Sequence, residues 1–179
     1  MPDLQELLGS SETAGVWNLV PDRSRLAFKN KSMWGLVNVK GTFREFSGDG
    51  QVTGKGAVFG RVDIRAASVD TGLRRRDEHL RSADFFDVEK FPDISVVVTA
   101  AQPAGGDSVD LRASLTVKDS TLSIDLPATI TVLDDGAIRV SAKAAVERDK
   151  AGIGYNMAGG MLGKVATLSA DLVFAPAAG

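Results

Sequence analysis

From about residue 16 onward, apolar residues recur at every second position, the period of a strand with one dry face and one wet face. In the clearest run, Val58, Gly60, Val62, Ile64 and Ala66 alternate with Phe59, Arg61, Asp63 and Arg65. Val109, Leu111, Ala113, Leu115 and Val117 are set in the same way against Asp110, Arg112, Ser114, Thr116 and Lys118. After a break at Lys118 to Thr121 that reads as a hairpin turn, Leu122, Ile124, Leu126, Ala128, Ile130 and Val132 continue the spacing. Ile138, Val140, Ala142, Ala144 and Val146 follow a turn at Asp134, Asp135 and Gly136, and Ala166, Leu168, Ala170, Leu172 and Phe174 form the last run. Nearer the start, Leu26 and Phe28 mark a first strand and Val37, Val39, Gly41 and Phe43 a second; Ile94, Val96 and Val98 make another after Pro92. About eight strands result, joined mostly by short turns and therefore antiparallel, each dry on one face only. A sandwich and a closed barrel are the two common outcomes, and closure removes the edges that strands this long would otherwise expose. An all-β, eight-stranded antiparallel barrel is the expected fold.

One segment breaks the period. In TGLRRRDEHLRSADFF, from Thr71 to Phe86, Leu73, Leu80 and Ala83 are spaced for a short helix with a narrow apolar stripe, at about residues 72–82, with Thr71 as N-cap. Pro92 pushes the residue before it toward extended geometry and closes the segment. The glycine-rich stretch from Gly152 to Gly163 reads as a loop before the last strand, with Tyr155, Asn156 and Met157 as candidates to line a portal. Residues 1–15 read as a flexible tail and 16–175 as a single domain.

Composition narrows the chemistry. The chain has 179 residues, no Cys and one His, His79, so a thiolate zinc cluster, a redox dithiol and a cysteine nucleophile are excluded. Lys and Arg number 21 against 23 Asp and Glu, a net charge of −2 that gives no support for nucleic-acid binding. No apolar run reaches the length of a membrane-spanning helix. The first residues, MPDLQELLGSSETAG, lack the basic and apolar regions of a secretory signal, so cytoplasmic residence is the expectation. Aromatic residues are only 6% of the chain, and the inward-facing set is mostly Ala, Val, Leu and Ile with Gly41 and Gly60. Side chains of that size fill a wide barrel poorly, which favours an apolar cavity over a core packed by aliphatics alone.

The densest polar cluster is Arg74, Arg75, Arg76, Asp77, Glu78, His79 and Arg81. Asp77 and Arg81 are spaced to pair on one helix face, and the arginines suit either a brace to the barrel loops or an anion such as pyrophosphate. There is no GxSxG nucleophile elbow. The near-match to a phosphate loop at GGMLGK fails at Ala158 and Val165, and an alternating strand follows it where a helix is required.

The helix segment resembles the signature of the YceI-like family of lipocalin-like, polyisoprenoid-binding proteins. That signature is carried here by Ser68, Thr71, Arg76, Asp77, His79, Leu80, Arg81, Ser82, Asp84, Phe85, Phe86, Phe91 and Pro92. Upstream, Trp17, Asp22, Ser24 and Phe28 resemble the family's opening strand, and Val39, Gly41, Phe43, Phe46 and Gly48 its next element. Downstream, SLTVKDSTLSIDLPATI and VERDKAGIGYN resemble its hairpin and a late Arg-x-x-Gly-Ile element, so the likeness covers roughly residues 16–174. It departs in lacking the signal peptide of many members and in placing Lys118 and Asp119 where Asn-Gly or His-Gly is common.

The resemblance implies an extended lipocalin-like barrel whose apolar interior holds an isoprenoid lipid, a polyprenyl chain or a quinone, with no catalytic centre, no other cofactor and often a homodimeric state. Alternation then assigns Leu26, Phe28, Val62, Ile64, Val96, Leu111, Leu126, Val140, Leu168 and Leu172 to the cavity wall. Arg75, Arg76, Asp77, His79 and Arg81 become a structural brace or a headgroup site. Two other classes stay open: a packed, ligand-free barrel with a stress or interaction role, and a small enzyme acting on an isoprenoid with Asp77 and His79 as acid and base.

Overall fold

The computed structural model describes residues 14–32, 37–53, 57–83, 85–147 and 162–177. Its strands are β1 (Gly15–Leu19), β2 (Arg25–Ser32), β3 (Val37–Phe43), β4 (Phe46–Val52), β5 (Val58–Arg65), β6 (Val69–Asp70), β7 (Asp93–Gly105), β8 (Ser108–Val117), β9 (Ser120–Val132), β10 (Ile138–Glu147) and β11 (Leu162–Pro176). Among the described residues one α-helix, α1 (Arg74–Arg81), lies between β6 and β7.

The sheet runs β1-β4-β5-β7-β8-β9-β10-β11 and closes through a second pairing of β11 with β1. β2, β3 and β6 extend this ring rather than adding to it. β1 and β2 both lie along β11 and are halves of one strand interrupted by a single 3-10 turn at Pro21–Arg23. β3 and β4 are likewise halves of a strand broken at Arg44 and Glu45, and β5 and β6 are separated by the turn Ala66–Ser68. The result is the expected closed antiparallel barrel of eight strands, with a short helix between two of them. The first interruption is stitched shut. Val20 N–H donates to Val173 O at 2.8 Å, Ser24 Oγ donates to Val20 O at 2.7 Å and accepts from Val173 N–H at 2.8 Å.

Alternation delivers the inward face. Buried residues fall into two clusters, one at the helix end around Phe43, Ile64, Val69, Phe86, Ile94, Leu115, Val117 and Val146, and one at the far end around Trp17, Val52, Val109, Leu111 and Ala128. Two departures from regular pairing shape the wall. β7 carries a bulge between Val98 and Ala100. The β9–β10 ladder stops at Ala128 and Ala142, although β9 continues backward to Ser120 on β8 and β10 forward to Glu147 on β11. Pro127, next to the last pair, has no N–H to give that ladder, and the two strands part beyond it.

The hairpin between β8 and β9 turns through Lys118 and Asp119, with Val117 facing Ser120. Lys118 has a φ of 56°, the left-handed region that favours glycine, so the turn keeps positive φ at its first central residue without the Asn-Gly pair. Lys118→Gly is therefore expected to raise stability by about 0.5 kcal/mol, the relief of side-chain strain slightly exceeding the added chain entropy. A urea melt showing an unchanged or lower midpoint would count against strain at this turn.

Among the described residues, no helix is long and apolar enough to cross a membrane.

Candidate functional site

The inward faces of the strands line a continuous, partly open apolar cavity of about 290 Å³ that reaches both core clusters. All ten residues assigned to the wall from alternation border it: Leu26 and Phe28 on β2, Val62 and Ile64 on β5, Val96 on β7, Leu111 on β8, Leu126 on β9, Val140 on β10, and Leu168 and Leu172 on β11.

At the helix end the cavity is lined by Leu80 of α1 and by Phe85 and Phe86 just beyond it. Phe43 stacks at an angle on Phe28, with ring centroids 5.5 Å apart, and meets Phe86 edge-on at 5.8 Å. Gly41 is fixed by this packing. A Cβ there would lie 2.5 Å from the Phe28 ring and 2.9 Å from Thr71 Cγ2, so no side chain fits.

The polar residues around α1 hold this cap in place. Asp77 is buried, and its Oδ1 accepts from Thr71 N–H at 2.8 Å and Thr71 Oγ1 at 2.5 Å. Arg76 Nε donates to Thr71 Oγ1 at 2.8 Å and Arg76 Nη2 to Thr71 O at 2.9 Å. Arg81 reaches Ala67 O at 2.8 Å and Val69 O at 3.2 Å. The i, i+4 ion pair on the helix joins Arg74 to Glu78, whereas Asp77 and Arg81 turn to the preceding loop. The N-cap position is Leu73, with no side-chain cap bond; Thr71 instead spends its hydroxyl on Asp77. The helix is accordingly two residues shorter at its start than the sequence spacing predicts.

His79 is exposed and meets the Phe85 ring edge-on at 4.9 Å, and Arg75 is exposed beside it. With Leu73, Arg74 and Arg76 these two border a shallow outer depression, and none of the five borders the cavity. Asp77 does not border it either, so the pair considered as acid and base does not face the cavity. Tyr155, Asn156 and Met157, and Asp84 of the signature, lie outside the described residues.

Three wall features escaped the sequence reading. Asn30, the third inward position of β2, borders the cavity among apolar neighbours. Gly50 and Gly60 face each other across β4 and β5 and leave the wall bare of side chains; the flanking Asp49, Gln51, Phe59 and Arg61, which alternation turns outward, border the cavity there. On that outer face Arg61 donates to Asp63 at 3.0 Å and, with Ser95, holds its carboxyl below the ordinary 3.8. Finally, the place where β9 and β10 part is flanked by wall residues Ile124, Leu126, Ala142 and Val146.

A closed antiparallel barrel, capped by a braced helix and built around an apolar cavity, defines a lipocalin-like class of protein. The chain belongs to the YceI-like family: the model of the YceI-like domain matches residues 17–174. Protein YceI of Salmonella arizonae is 36% identical over 92 residues, covering 50% of this chain and 48% of the relative. A UPF0312 protein of Azotobacter vinelandii is 30% identical over 126 residues, covering 68% and 66%. The matched stretch thus spans about half the length of the Salmonella relative. Among solved structures, Burkholderia cenocepacia BcnA superposes with a TM-score of 0.80 at 21% identity over 87% of this chain and 98% of that one. A polyisoprenoid-binding domain from Saccharophagus degradans, implicated in plant cell wall breakdown, superposes with a TM-score of 0.73 at 18% identity over 89% and 98%. These structures share the fold.

Proposed function

We propose that this protein is a non-catalytic carrier that encloses an isoprenoid lipid, a polyprenyl chain or a quinone, in its barrel. The observation that carries the reading is the continuous apolar cavity of about 290 Å³ running between the two core clusters. A barrel meant only to be packed gains nothing from such a space, since empty volume forfeits dispersion contacts along its lining. An isoprenoid recovers them, and each methylene it buries contributes about 0.8 kcal/mol. Family membership and the Saccharophagus neighbour, described as polyisoprenoid-binding, support the choice of ligand class. The ten wall residues from Leu26 to Leu172 act as the lipid-contacting surface, and Arg76, Asp77 and Arg81 act as the brace of the cap. Mass spectrometry of an organic extract from freshly purified protein is expected to show a stoichiometric isoprenoid. A lipid-free extract, together with no uptake of added polyprenyl chains, overturns the reading.

A further inference from the structure

The inward positions of β2 are Leu26, Phe28 and Asn30, and the third is out of character. Asn30 is only 7% exposed, and its Oδ1 is buried without a hydrogen-bond partner. By register it faces Ala166, which in turn faces Val146 of the helix-end cluster, so its described cross-strand neighbours on that side are apolar. Leucine would complete the wall there, whereas a buried acceptor left unmet is a standing cost. An unpaired polar atom on a residue that borders a cavity is explained when the occupant supplies the missing donor.

We infer that Asn30 is the polar anchor of the cavity and that the occupant is an apolar chain ending in a hydroxyl, an isoprenoid alcohol in the simplest case, with its head beside Asn30 and its tail toward Trp17 and Phe174. This inference rests on the lipid-carrier reading and adds the head chemistry and the direction of the chain. A hydroxyl suits the amide on both sides, since it donates to Oδ1 and accepts from Nδ2, and so satisfies Asn30 in either orientation of its flip. A phosphate does not suit it, because among the described residues that border the cavity no cation stands beside Asn30 to pair its buried charge. Among the described residues, the charged ones that border the cavity, Asp49 and Arg61, stand at the Gly50–Gly60 pair on a different part of the wall, where alternation turns them outward.

The test compares geranylgeraniol with the same chain carrying hydrogen in place of its hydroxyl. Each is titrated into delipidated wild-type protein and Asn30→Leu, with tryptophan fluorescence as readout because Trp17 borders the cavity. The affinity ratio of alcohol to hydrocarbon is expected to fall about tenfold in the variant, with hydrocarbon affinity unchanged or improved. An unchanged ratio, as when water serves Asn30, overturns the anchor and leaves the carrier reading standing. Failure of both chains to bind wild type removes both. A second measurement does not depend on the variant folding: in isotope-labelled wild type, the Asn30 side-chain amide resonances shift with the alcohol and not with the hydrocarbon. Equal shifts overturn the proposal.

Discussion

Asp77→Ala is expected to lower stability by about 3 kcal/mol, the largest effect of any single polar substitution among the described residues. The carboxylate is buried and serves two donors of one residue, Thr71 N–H and Thr71 Oγ1. Alanine leaves both without their acceptor. It also loosens Thr71 as the point to which Arg76 is tied through Oγ1 and O, so the start of α1 loses its connection to the barrel. Asp77→Asn keeps an acceptor oxygen and is expected to cost about half as much, while Thr71→Val removes only the hydroxyl and is expected to cost about 1 kcal/mol. Urea melts at constant m-value measure the series. A loss below about 0.5 kcal/mol for Asp77→Ala would show that the bonds do not brace the cap. The order of the three variants distinguishes a structural carboxylate from one held in reserve for chemistry, since a reserved acid or base could be removed at little cost in stability.

The strand faces were legible because a half-dry strand writes its burial into every second residue. Val109 to Val117 and Leu122 to Ile130 could be assigned inward without knowing their partners. What alternation does not carry is register, so the sequence could not show that Gly50 lies opposite Gly60 and that two missing side chains coincide on the wall. It also does not show where one strand becomes two. Pro21 breaks β1 from β2, yet both halves stay along β11, so the count of eight survives the interruption. Pro127 was readable as a warning, since proline is rare in a central strand, but its outward place in an unbroken alternation hid the end of the β9–β10 ladder. Asn30 was readable too. It continues the inward series of Leu26 and Phe28, and a polar residue at such a position is the departure from pattern that marks a site. For the helix, the arginine-rich spacing suited a pair between Asp77 and Arg81; the backbone carbonyls of Ala67 and Val69 and the Thr71 donors took them instead, because the preceding loop packs against the same face.

Gly60→Leu is expected to reduce co-purified lipid by more than tenfold while raising the melting temperature of the empty barrel. Gly60 faces inward between Val58 and Val62, and a Cβ placed on it meets Asp49 O at 3.5 Å and Val98 Cβ at 3.9 Å, ordinary contact distances. Its backbone therefore does not need glycine, and glycine inside a strand weakens it. Because Gly60 and Gly50 both border the cavity, a leucine side chain there extends into it and replaces lipid contacts with contacts of its own. The opposite signs are what make the experiment decisive. Lost lipid with lower stability would mean only a damaged fold, and retained lipid with higher stability would move the chain's path away from the Gly50–Gly60 wall. Gly48, which does not border the cavity, supplies the control: a Cβ there would run into Arg61 O, so Gly48→Ala should destabilise the barrel and report what a damaged fold alone does to lipid content. Arginine at Val62 or Leu126 also excludes lipid, but it buries an unpaired charge and confounds occupancy with folding. Filling the space with apolar volume asks the narrower question, whether the cavity exists to be occupied.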